Sequence, residues 1–82
     1  MDVKEMSLFS GYSISRIYEH LQEIRLFDDG FALGNDGVTI FSIDESAAYM
    51  KMLRTIEATG RVKRGIVALF KALGKYEYLN RK

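Results

Sequence analysis

Hydrophobic positions recur at helical spacing in four stretches of the chain, and each stretch is bounded by residues that start or stop helices. Asp2 followed three residues later by Glu5 has the spacing of a capping box, so a short helix is expected from Val3, with Met6 and Phe9 on one side and Gly11 as its stop. Ser13 offers an N-cap oxygen to a second helix, Ile14 to about Arg25. Its Ile17, Leu21 and Ile24 form one buried stripe, and Ser15, Arg16, Glu19, His20 and Glu23 form its polar face. Ser42 or Asp44 caps a third helix in which Ala47, Met50, Leu53 and Ile56 are the expected core positions, and Gly60 stands where it should stop. Arg61 to Leu73 is the fourth, with the stripe Val62, Ile66, Leu69, Phe70 and Leu73, the stop Gly74 and a tail from Lys75 to Lys82.

Between the second and third helices the period changes. Phe31-Ala32-Leu33 and Val38-Thr39-Ile40-Phe41 are β-prone runs on either side of Gly34-Asn35-Asp36-Gly37, whose residues suit a tight hairpin. Two helices joined by a short glycine-containing turn have the form of a helix-turn-helix, and a hairpin after it would be a wing. The expected fold is mainly α with some β: a winged helix-turn-helix of four helices and a two-stranded β-hairpin wing, occupying residues 2–73, followed by a short basic tail at 74–82.

Composition adds that the chain should fold. It has 82 residues, 48% of them hydrophobic and 28% charged, the balance of one small globular domain with a single core. There is no cysteine, hence no disulfide, no thiolate zinc site and no cysteine nucleophile, and a reducing compartment is the expected setting. The longest apolar run extends only from Ile66 to Phe70, far short of the roughly 18 residues of a membrane span, so a cytoplasmic protein is expected. Net charge is +1, but residues 1–60 hold five basic side chains against ten acidic ones, whereas 61–82 hold seven against Glu77 alone. A distribution of that kind suits a charged partner, such as a nucleic-acid backbone or an acidic protein face.

No catalytic constellation stands out. His20 is the sole histidine, and on a polar helix face beside Glu19 and Glu23 it is expected to be a solvated surface residue. Asp28, Asp29 and Asp36 lack the alternating spacing of a calcium loop and suit turns. The Gly34–Gly37 loop lacks the following lysine and hydroxyl residue of a phosphate loop. Met50 and Met52 are expected in the core and at its edge. The chain is expected to be no enzyme and to carry no metal, cofactor or small-molecule ligand.

Val3-Lys4-Glu5-Met6, then Gly11-Tyr12-Ser13 and Ser15-Arg16-Ile17-Tyr18, resemble the opening of the MerR and excisionase superfamily of winged helix-turn-helix proteins. In that family a short helix beginning Val-Lys-Glu is followed by Gly-x-Ser and then by Ser-Thr-Val-Tyr or a close variant on the recognition helix. Arg16 stands here in the threonine's place. Beyond the loop, Asp44-Glu45, Ala47, Met50, Leu53, Ile56, Gly60, Ile66, Leu69 and Phe70 resemble the family's closing helix pair. The chain stops soon after, where MerR regulators continue into a long dimerisation helix, so either an N-terminal domain or a small excisionase-like protein is expected.

The resemblance implies a protein that binds double-stranded DNA, as a transcription regulator or excisionase-like accessory factor, with the second helix in the major groove. Ser13, Ser15, Arg16, Tyr18 and His20 are its expected DNA-binding residues on that helix, and Arg61, Lys63 and Arg64 on the fourth. Arg16 is the expected base reader, because a guanidinium pairs bidentately with guanine. Relatives that grip DNA often carry arginine where Ile14 and Glu19 stand, so a single subunit is expected to bind weakly and to gain from self-association or cooperative binding on DNA. A segregation or replication accessory protein of a plasmid or phage is an alternative with the same fold. So is a helix-turn-helix domain repurposed for protein–protein interaction or self-assembly.

Overall fold

A computed structural model describes residues 1–80; Arg81 and Lys82 of the expected basic tail lie outside the described residues. Four helices form where their caps predict them: α1 (Val3–Ser10), α2 (Ile14–Arg25), α3 (Ile43–Thr59) and α4 (Val62–Ala72). Asp2 and Glu5 exchange both capping-box bonds at the start of α1, at 2.8 and 2.9 Å, and Ser42 and Glu45 do the same at the start of α3, at 3.1 and 2.8 Å. Gly11 and Gly60 close α1 and α3 with φ of 81° and 72°, a left-handed turn that costs a side-chain-bearing residue about 1–2 kcal/mol.

The wing is not there. Among the described residues there is no strand or sheet; residues 26–42 form a long connection containing a short 3-10 turn, Asn35–Gly37, and two isolated bridges, Leu33 with Thr39 and Asp2 with Ile40. The two runs do meet, Ile40 N–H donating to Ala32 O at 2.8 Å and Gly34 N–H to Val38 O at 2.7 Å, but the pairing stops at a single bridge and never becomes the expected two-stranded hairpin, because the neighbouring backbone groups bond elsewhere. Phe31 N–H donates to Asp28 O at 3.1 Å, Ala32 N–H donates to Glu45 Oε2 at 2.9 Å, and Phe41 exchanges bonds with Met1. Ala32 itself has φ 55°, which turns the chain out of the extended region and keeps the pairing from growing into a ladder. The fold is therefore all-helical.

A sheet would satisfy the buried backbone of this connection, and here side chains share that task with a few backbone bonds. The Arg25 guanidinium, at the end of α2, donates to Phe31 O at 3.0 Å, Ala32 O at 3.3 Å and Thr39 Oγ1 at 3.3 Å. Glu45 closes the α3 cap with one carboxylate oxygen and holds Ala32 N–H with the other. Phe31, Ala32 and Phe41 are thereby pinned in the core.

That core joins all four helices. Val3 and Met6 of α1, Ile17, Leu21 and Ile24 of α2, Ala48, Tyr49, Met52 and Leu53 of α3, and Ile66, Leu69 and Phe70 of α4 are buried together. A file of aromatic rings runs through it, Tyr12, His20, Tyr49, Phe41 and Phe31, with successive centroids 6.1, 5.8, 5.4 and 6.0 Å apart. Helices α3 and α4 meet closely at Gly65, where an added Cβ would lie 2.6 Å from Ile56 Cγ1 and 3.0 Å from Met52 O. The segment expected as a tail folds back in part: Tyr76–Asn80 is a 3-10 turn whose Tyr78 stacks on Phe70 at 6.1 Å, and Lys75 Nζ reaches Asp28 Oδ2 at 3.4 Å. No helix among the described residues is long and apolar enough to cross a membrane.

The α3 stripe is rotated from its expected position. Ala47 is exposed and Met50 only half-buried, while Ala48, Tyr49 and Met52 are buried. Positions three apart drift about 60° per step around a helix, so Ala47, Met50, Leu53 and Ile56 span half the cylinder and cannot all face one core.

Two substitutions test this framework by urea denaturation. Glu45→Ala removes the reciprocal capping-box bond from Ser42 N–H and leaves the buried Ala32 N–H unpaired, for an expected loss of about 2–4 kcal/mol. Gly65→Ala should lower stability by up to about 2 kcal/mol, because overpacking against Ile56 and the Met52 carbonyl, about 1–3 kcal/mol, exceeds the helix-propensity gain of about 0.8–1.0 kcal/mol.

Candidate nucleic-acid interface

Helices α1 and α2 are joined by residues 11–13, and the α2 stripe Ile17, His20, Leu21 and Ile24 faces inward. The outward face then carries Ser15, Arg16, Tyr18, Glu19, Gln22 and Glu23. Ser13 Oγ accepts from Arg16 N–H at 3.1 Å and so fixes the first turn, with Ser15 fully outward beside it.

The outward face has two flanks. On one, Arg16 lines a groove with Glu19, Glu23 and Lys63 of α4, closed below by His20, Val62 and Ile66. On the other, the half-exposed Tyr18 borders a shallow hollow with Lys4 of α1, Ile14 and Val38. The structure thus brings Arg16 to Lys63 and Tyr18 to Lys4, with Ser15 between. Arg61, which precedes α4, and Arg64, in its first turn, are exposed but do not line the groove; Arg64 lies about 100° around the helix from Lys63.

Two cations lie on α2, and they are not alike. Arg25 is committed to the connection by its three hydrogen bonds. Arg16 is exposed, its Nε 3.2 Å from Glu19 Oε1, with side chains 60% and 70% accessible. A pair that open to water is worth only a few tenths of a kcal/mol, so a phosphate or a base edge can displace Glu19 at little cost. Of the cations after residue 60, Lys71 and Lys75 sit over the rings of Tyr76 and Tyr78 at 5.5 and 5.3 Å, which leaves Arg61, Lys63 and Arg64 as the outward group among the described residues.

His20 is corrected from a solvated surface residue to a core one, 4% exposed. Its Nδ1 shares a 2.6 Å hydrogen bond with Tyr49 Oη, and its ring lies against Tyr12, whose hydroxyl donates to Glu57 Oε2 at 2.8 Å. Burial lowers the histidine's pKa below its ordinary 6.5, helped by the Arg16 charge and opposed by Glu19. Burial likewise pushes the Tyr49 phenol up. His20 therefore holds α2 on α3 and is set apart from the exposed candidates. Its spacing carried the signal: Ile17, His20, Leu21 and Ile24 follow i, i+3, i+4 and i+7.

Comparison with protein-family models, with curated proteins and with solved structures returns no match to this chain.

The buried histidine sets a pH dependence of stability. The unfolded chain takes up a proton near pH 6.5 while folded His20 resists it, so the full stability is present above that value and is lost as pH falls from about 6.5 toward the lowered folded pKa. Urea midpoints at pH 7.5 and 5.5 should differ in the parent and differ less in His20→Gln; an equal difference in both would exclude His20 as its source.

Proposed function

We propose that the protein binds double-stranded DNA through α2, as a sequence-specific transcription regulator or an excisionase-like accessory factor. The observation that carries this is the position of α2's outward face between two cations from other helices, Lys4 beside Tyr18 and Lys63 beside Arg16. A helix lying in the major groove has a phosphate strand on each side, and cations flanking it can reach both while Ser15 and Arg16 meet base edges. The ordered resemblance of Val3-Lys4-Glu5, Gly11-x-Ser13 and Ser15-x-Ile17-Tyr18 to MerR and excisionase proteins supports the same helix for the same task. Such a protein belongs in the cytoplasm, on the nucleoid.

Glu19 and Glu23 in the Arg16 groove weaken the attraction of phosphates. Binding by one subunit is therefore weak and strongly salt-dependent, and cooperative occupation of adjacent sites supplies the remaining affinity. Those same carboxylates favour the second reading, a helix-turn-helix pair that docks a protein on α2.

Two variants separate these. Arg16→Ala should cost about 1–3 kcal/mol on a site selected from random duplexes and relax preference at one base position, with melting unchanged. Arg61, Lys63 and Arg64 changed together to Ala should weaken all sequences alike and flatten the dependence of affinity on salt. An Arg16→Ala variant as tight and as selective as the parent would mean that α2 does not read DNA.

A further inference from the structure

Helix α3 is apolar on two sides. Its inner side packs on the core, but Ile43, Ala47 and Ala58 lie on the other, with Met50, half-buried against the core, at the edge between the two, and Ile43 is 89% exposed. The spacing from 43 to 47 to 50 is i, i+4, i+7, the stripe of a helix that faces a partner. Phe9 of α1, 63% exposed, stands beside it and turns the stripe into one wall of an open groove of about 760 Å³ lined by Phe9, Ala47, Met50, Ala58, Lys51 and Arg54. Large apolar side chains left in water on adjoining helices are the mark of a surface that becomes covered.

Charge tells what covers it. Lys51 and Arg54 are the charged side chains of the groove, both exposed, and neither forms an ion pair among the described residues. Of the carboxylates on these helices, Glu5 caps α1 and Glu57 accepts from Tyr12, while Asp44 borders an adjoining hollow with Ala47 and Lys51 without forming an ion pair among the described residues. A second copy of the same groove would bring like charges together, and a nucleic-acid backbone would leave the apolar floor wet.

We propose that this groove is a docking site for an acidic amphipathic helix of a partner protein, with apolar side chains at i, i+3 or i+4, and i+7 set against Phe9, Ala47 and Met50, and with carboxylates paired to Lys51 and Arg54. Helix-in-groove recognition of this form draws its affinity from the apolar anchors and its selectivity from the flanking charges. The site shares no residue with the groove of Arg16 and Lys63, so an α2 bound to DNA leaves it open to recruit a partner.

The test is selection of displayed random 14-residue peptides against the full chain, followed by affinity measurement of the enriched peptides by fluorescence anisotropy. Enriched sequences should combine the helical apolar spacing with two or more carboxylates. They should bind at least tenfold more weakly to Phe9→Ser and to the double variant Lys51→Glu, Arg54→Glu. All three positions are exposed, so these variants should melt with the parent, and Phe9→Ser should bind duplex DNA as the parent does. No enrichment, enrichment of basic or uncharged peptides, equal binding to the variants, or displacement of the peptide by duplex DNA would overturn the proposal. So would a parent dimer that Phe9→Ser disperses, since a second copy would then be the occupant.

Discussion

Ala32 is buried, and its two backbone polar groups are held from different parts of the chain. Its N–H donates to Glu45 of α3, while its carbonyl accepts from Arg25 of α2 and from the Ile40 N–H. An unpaired buried amide or carbonyl costs about 1–3 kcal/mol, so a long connection without a sheet can cross the core only if such partners exist. Once they do, Phe31 packs on Phe41 and Phe41 on Tyr49 of α3, which ties the connection to that helix. The positive φ of Ala32 is the local strain that this arrangement sustains.

This constraint reaches the candidate interface. Arg25 serves the connection, so α2 offers its surroundings one outward arginine, Arg16, and the other cations must come from neighbouring helices. Lys4 on one flank and Lys63 on the other supply them. His20 performs the complementary task from the inner side, tying α2 to Tyr49 so that the outward residues keep a fixed orientation. Rigid presentation matters because base recognition depends on hydrogen-bond geometry, whereas phosphate attraction tolerates movement.

Helix boundaries were legible in the sequence because they are local. Asp2 with Glu5, Ser13, Ser42 with Glu45, Gly11 and Gly60 each act within one turn of the residue they cap. The connection was illegible for the opposite reason: Phe31, Ala32 and Val38 to Phe41 have β propensity, but long-range bonds from Arg25, Glu45 and Met1 decide where their backbone goes. Propensity yields to tertiary context there. Helix α3 misled because seven of its ten positions from Ala47 to Ile56 are apolar, so a period of three fits as well as the buried set. That excess was itself a signal of a second covered face. Arg16, Ser15 and Lys63 stand exposed where helical periodicity puts them, and His20 does not, because an imidazole among polar neighbours still falls at a core position of the repeat.

On the proposed function, α2 and its two flanking cations form the surface that meets DNA. Backbone amide chemical shifts, followed while a duplex carrying a selected site is added to the ¹⁵N-labelled protein, test it at every residue at once. Shifts should concentrate at residues 13–23, at Lys4 and at residues 61–64, with the α3 groove around Met50 unaffected. Shifts confined to the α3 groove, or none at α2 under conditions where the protein binds, would mean that α2 is not the surface that meets DNA.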